Sequence, residues 1–136
     1  MTKVKLQYLG DLTTECIHVE SKTKMIIDAP KDIGGKGSSF SPSDLIGAAL
    51  GSCILITMGN AAKRCGFVFD GTTAEIEKEM ITAPKRCIGK IIVRLRCPQM
   101  PSPPIQEKLE KAAGECVVQA SLHPNIKKEI DFIWGI

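Results

Sequence analysis

The chain has 136 residues, with 18 Lys and Arg against 15 Asp and Glu, a net charge of +3. That excess is too small and too scattered to mark a nucleic-acid surface, and aromatics at 4% offer no stacking platform for bases. Apolar residues at 43% and charged residues at 24% are ordinary for one soluble globular domain, taken as residues 1–136, with an aliphatic core.

The first thirty residues read as a meander of three short antiparallel strands. Val4, Leu6 and Tyr8 alternate with Lys5 and Gln7, and Gly10-Asp11 marks a turn. Cys16, His18 and Glu20 alternate with Ile17 and Val19, and Lys24 to Asp28 gives the third strand. Asp32 to Ser43 is a glycine-rich loop that lacks the spacing of a phosphate-cradling P-loop.

A helix then opens, with Ser41 as N-cap, Pro42 at the first helical position and Asp44 at the positive helix end. From Leu45 to Ala62 it carries no charge. That length approaches a membrane span. Gly47, Gly51, Gly59, Ser52, Thr57 and Asn60 within it, and the amphipathic remainder, favour a fully buried central helix of a soluble protein, with no membrane partner. Lys63-Arg64 suits its C-terminal end and Gly66 its stop.

Phe67 to Met80 reads as a strand after a turn at Asp70-Gly71, and Lys90 to Cys97 as its hairpin partner. Glu75, Glu77 and Glu79 face one way on the first, Arg94 and Arg96 on the second, so the outer faces match in charge. Ile105 to Leu122 has helical spacing through Leu109, Cys116 and Ala120, and His123-Pro124 ends it. Ile126 to Ile133 closes the chain as a strand. The order β-β-β-α-β-β-α-β gives an α+β fold.

Six cysteines remain to be placed: Cys16, Cys53, Cys65, Cys87, Cys97 and Cys116. The opening residues alternate and form no apolar run of a signal peptide, so the expectation is a cytoplasmic protein with free thiols. There is no CxxC pair, and only His18 and His123 could join a metal site; neither a metal nor a cofactor is expected. Cys53 sits in the most apolar helix and Cys116 on the apolar stripe of the second. A buried Cys is most often a small hydrophobe, but one sulfur on each of two helices allows them to meet. Cys65 cannot pair with Cys53 along one helix, being about 18 Å away at about 1.5 Å per residue.

The segments Asp32-Ile33-Gly34-Gly35-Lys36-Gly37, Ser41-Pro42-Ser43-Asp44-Leu45 and Ala48-Ala49-Leu50-Gly51-Ser52-Cys53, with the later Ala112-Ala113-Gly114-Glu115-Cys116-Val117-Val118-Gln119-Ala120, resemble the OsmC/Ohr family. The element order fits over nearly the whole length. The resemblance implies an intertwined homodimer whose antiparallel or mixed sheets wrap the central helix. It also implies a cysteine-based peroxidase: Cys53 attacks an organic hydroperoxide or hydrogen peroxide, becomes a sulfenic acid and condenses with Cys116 to a disulfide, which a dithiol reductant resets.

Such a thiolate needs a nearby cation or donor to lower a thiol pKa of ~8.5. In the family an arginine from the N-terminal strands, held by a glutamate at the start of the first helix, has this role. Here no Arg precedes Arg64, and the glutamate's position holds Ser43, with Asp44 beside it. Lys22, Lys24 and Lys36 are the cations available in the arginine's place, without its planar fork. Val117 stands where many members have proline. The departures point to the OsmC-like branch described as predicted redox proteins. Cys53 and Cys116 are thus the candidate catalytic residues, with Asp44, Ser43 and Lys36 in support. Two alternatives stand beside the peroxidase: a non-peroxidatic thiol–disulfide redox or sensor protein, and a dimer that binds a small apolar ligand.

Overall fold

The computed structural model describes residues 1–136. Its elements are β1 (Val4–Gly10), β2 (Thr13–His18), β3 (Lys24–Asp28), α1 (Pro42–Cys65), β4 (Thr73–Ile81), β5 (Cys87–Cys97), α2 (Pro103–Ala113), α3 (Val117–Ser121) and β6 (Lys127–Trp134). The strands make two separate three-stranded sheets, β1-β2-β3 and β4-β5-β6. By contacts the chain divides into two compact units, Met1–Ile46 and Gly47–Ile136, with α1 starting in the first and continuing through the second.

In the first unit the expected meander forms, with Leu6 opposite Cys16 and Cys16 opposite Met25. At the end of β3 the Asp28 side chain is 2% exposed. It accepts hydrogen bonds from the Thr13 hydroxyl at 2.7 Å, from the Ser38 amide at 3.2 Å and from the Ser38 hydroxyl. One carboxylate therefore ties the glycine-rich loop to β2 and β3. Ser41 caps α1 as expected. Its Oγ accepts from the Asp44 amide at 3.1 Å, while the Ser41 amide donates to Asp44 Oδ2 at 2.9 Å, a reciprocal capping box.

The second unit is built on α1. Leu50, Ile54 and Met58 are fully buried and recur on one helix face; they join Ile91, Val93 and Leu95 of β5 and Leu109 of α2 in a single core. Full burial of each large side chain contributes about 1.5–3 kcal/mol. Close approach needs the small residues: a Cβ at Gly51 would lie 2.6 Å from Ile76 Cδ1 of β4. The helix ends at Gly66, whose φ of 70° allows the Gly66 amide to bond Lys63 O and the Phe67 amide to bond Ala62 O. That is the paired closure of a Schellman motif.

The β4–β5 hairpin pairs antiparallel and β6 joins β5 in parallel, the crossover being made by α2 and α3. The charged face carries ion pairs: Arg94 with Glu77 at 3.3 Å, and Lys90 with Glu129 at 3.0 Å and Glu79 at 4.0 Å. These are partly exposed and contribute little each.

Two expectations change in detail. The helix read over Ile105–Leu122 is broken in two, because α2 ends at Ala113 where the Gly114 and Glu115 amides turn back to Lys111 O and Ala112 O. Cys116 therefore stands at a cap, not mid-helix. The first strand of the hairpin begins at Thr73, since the Thr72 amide closes a turn on Phe69 O. Within the single chain, helix α1 buries the face that carries Leu50, Ile54 and Met58 and leaves Ile56 69% exposed.

The Asp28 cluster sets a pH dependence. The Ser38 hydroxyl, then the Thr13 hydroxyl, hold its carboxyl below the ordinary 3.8 against burial, aided by the Ser38 amide and the Lys36 charge. A depressed folded value means the stabilisation is complete above pH 3.8 and is lost as pH falls through the folded value. Thermal unfolding of Asp28→Asn is expected to show a lower Tm at neutral pH, with the gap to wild type closing in acid. A gap constant across pH would contradict this.

Candidate functional site

The break in the second helical segment creates the site. After Gly114 the chain extends at Cys116 (φ −66°, ψ 127°), and α3 starts immediately. The first amides of a helix have no partner within it. Here sulfur supplies an acceptor: the Gln119 amide donates to Cys116 Sγ at 3.4 Å, capping α3. The Val117 and Val118 amides belong to the same first turn, and both favour the ionised form of Cys53.

Cys53 is half-buried on α1, at the edge of the face that carries Leu50 and Ile54. Cys116 is 1% exposed. Both are free thiols, and each acts on the ionisation of the other. The Thr57 hydroxyl, one turn on from Cys53, donates to the Cys53 carbonyl at 2.7 Å and also favours the ionised form of the thiol.

These contacts separate the two thiols. Burial pushes the Cys53 thiol up, but the Cys116 thiol, the Val118 amide, the Thr57 hydroxyl and the Val117 amide together bring it below the ordinary thiol value. Burial pushes Cys116 up, and its bond to Cys53 and the charge there raise it further, against the Gln119 and Val118 amides. The proton therefore stays on Cys116 while Cys53 ionises. A thiolate is the nucleophile, and a thiol held against it is the group that can close a disulfide.

The two candidate catalytic residues are thus brought together. The candidate supporting residues have other partners: Asp44 forms the α1 capping box with Ser41, Ser43 Oγ lies 3.3 Å from Ser41 Oγ, and Lys36 acts on Asp28. Sequence reasoning missed Thr57, Val117 and Val118. Thr57 was accessible as the residue at i+4 from Cys53 on a helix. The two valines act through backbone amides, which carry no side-chain signal. Beside the pair, Ile56 and Val117 are apolar and 69% and 70% exposed. No three His, Cys, Asp or Glu side chains converge to hold a metal ion.

The chain matches the family model described as OsmC-like protein over residues 35–131. A crystal structure from Psychrobacter arcticus 273-4, of a protein named for osmotic stress induction and a detoxification response, is 36% identical with a TM-score of 0.92. That match covers 97% of this chain and 96% of the other. An organic hydroperoxide resistance protein OsmC from Legionella pneumophila is 14% identical, TM-score 0.78, over 98% of this chain and 96% of that one. The organic hydroperoxide resistance protein OhrB of Bacillus subtilis is 15% identical, TM-score 0.72, over 97% of each. The last two similarities show a common fold. No curated protein matches the chain.

Proposed function

As the chain belongs to the OsmC-like family, we propose that it is a thiol peroxidase in which Cys53 reduces organic hydroperoxides and Cys116 resolves the product. The observation that carries the reading is the placement of Cys53 on α1 and Cys116 at the cap of α3, where neighbouring donors draw the first thiol down and burial pushes the second up.

The chemistry follows from that asymmetry. The Cys53 thiolate attacks the terminal oxygen of R–O–OH, the O–O bond breaks and an S–O bond forms. Cys53 leaves as the sulfenic acid, and the alkoxide takes a proton from water to become the alcohol. The Cys116 sulfur then attacks the Cys53 sulfur, the S–OH bond breaks, and one water and the Cys53–Cys116 disulfide result. A dithiol returns both thiols and is itself oxidised to a disulfide. The exposed Ile56 and Val117 favour a peroxide with an apolar substituent over hydrogen peroxide.

One observation favours a second reading. No Arg precedes Arg64, and the donors to Cys53 carry no charge. A thiolate held by neutral donors suits thiol–disulfide relay with another dithiol as well as peroxide reduction. The same membership supports a homodimer. On the first sheet Val4, Leu6, Tyr8 and Met25 are apolar, exposed and share one face, which a second copy would cover. Sedimentation equilibrium is expected to give two copies, and a monomer would count against the dimer.

Peroxide consumption with cumene hydroperoxide and a dithiol tests the main reading. Wild type is expected to turn over, Cys53→Ser to fall to the uncatalysed rate, and Cys116→Ser to accumulate a sulfenic acid that dimedone traps. Wild-type consumption no faster than that of a free thiol would reject the peroxidase and leave the relay.

A further inference from the structure

We propose that the Thr57 hydroxyl is a switchable donor to the reacting sulfur, resting on the Cys53 carbonyl while Cys53 is a thiol and turning onto the sulfur when it becomes an anion. The inference deepens the thiol-redox reading given above and rests on it. Its basis is the local geometry of α1. Thr57 Oγ1 donates to Cys53 O at 2.7 Å. Residues four apart lie over one another on a helix, and a helical side chain leans toward the preceding turn. The Thr57 hydroxyl therefore sits over the turn that carries Cys53, in a half-buried position.

A hydroxyl has one proton to give. The Cys53 carbonyl does not depend on it, because inside α1 that carbonyl already accepts the helical bond from the residue-57 amide. Threonine in a helix divides between two rotamers for this reason, one of them bonding the carbonyl a turn back. Against a neutral thiol, a weak acceptor, the carbonyl wins. Against a thiolate the balance reverses, since hydrogen bonds to an ionised acceptor are roughly twice as strong. Thr57 is among the donors that bring the Cys53 thiol down.

Back-bonding of this kind is common, and the chain has another case: Ser121 Oγ donates to Val117 O at 2.8 Å. There the residue one turn back is a valine, and the hydroxyl has no second acceptor to turn to. At Thr57 it has the nucleophile. The switch also releases the sulfur at the right stage. Once Cys53 is a sulfenic acid its negative charge is gone, the hydroxyl returns to the carbonyl, and the sulfur is open to Cys116.

The test compares Thr57→Val, which keeps the branched shape and removes the donor, with Thr57→Ser, which keeps the donor and loses a methyl. The readout is iodoacetamide alkylation of Cys53 as a function of pH, with thiolate ultraviolet absorbance followed alongside. Thr57→Val is expected to alkylate about tenfold more slowly at neutral pH, and to match wild type at high pH where Cys53 is fully ionised. Thr57→Ser is expected to restore the neutral-pH rate to within about twofold. If Thr57→Val does not fold, Thr57→Ala is expected to give the same slowing. A donor-free variant that alkylates like wild type, or a Thr57→Ser as slow as Thr57→Val, would overturn the proposal. Alkylation needs no peroxide, so the Thr57 result stands apart from peroxide turnover.

Discussion

The structure's chemistry depends on one juxtaposition, that of the Cys53 and Cys116 thiols, each of which shifts the ionisation of the other. That juxtaposition exists because the chain interrupts a helix at Gly114, extends through Cys116 and restarts it at Val117. A continuous helix would have spent the amides of Val117, Val118 and Gln119 on its own carbonyls. The break frees them: the Gln119 amide goes to Cys116 Sγ, and those of Val117 and Val118 favour the ionised form of Cys53. The remainder of the second unit positions that break: α1 is fixed by Leu50, Ile54 and Met58 against β5, and α2 by Leu109, Ala112 and Ala113 in the same core.

A thiolate can be held by a charge or by dipoles. Here the donors acting on Cys53 are two amides, a hydroxyl and a thiol, all neutral. Such a site lowers the cost of the anion without a cation that would also bind other anions. The chain has no Arg before Arg64, so neutral donors are consistent with its own composition. The same arrangement gives the pair a direction: Cys53 is drawn toward the anion, and Cys116 is held toward the thiol.

Much of the fold is legible in the sequence because local signals and tertiary structure agree. Ser41, Pro42 and Asp44 form the cap they predict, Gly66 the stop, and the alternation at Ile91, Val93 and Leu95 marks a strand face that is buried. Periodicity failed at the second helix for a physical reason. Leu109, Cys116 and Ala120 keep a helical face across the break, and spacing registers faces, not continuity of hydrogen bonds. Gly114 was the available sign of a stop. At the site, the two cysteines were legible as side chains, whereas the amides that tune them belong to the backbone and emerge only from the fold.

The most direct test of this account is the pH profile of Cys53 alkylation in wild type against Cys116→Ala, with the other cysteines' labelling resolved by mass spectrometry. The account predicts that Cys53 ionises below an ordinary thiol in wild type, and that losing the Cys116 donor moves its ionisation up and slows neutral-pH alkylation severalfold. A Cys53 that titrates as an ordinary thiol, unchanged by Cys116→Ala, would contradict it.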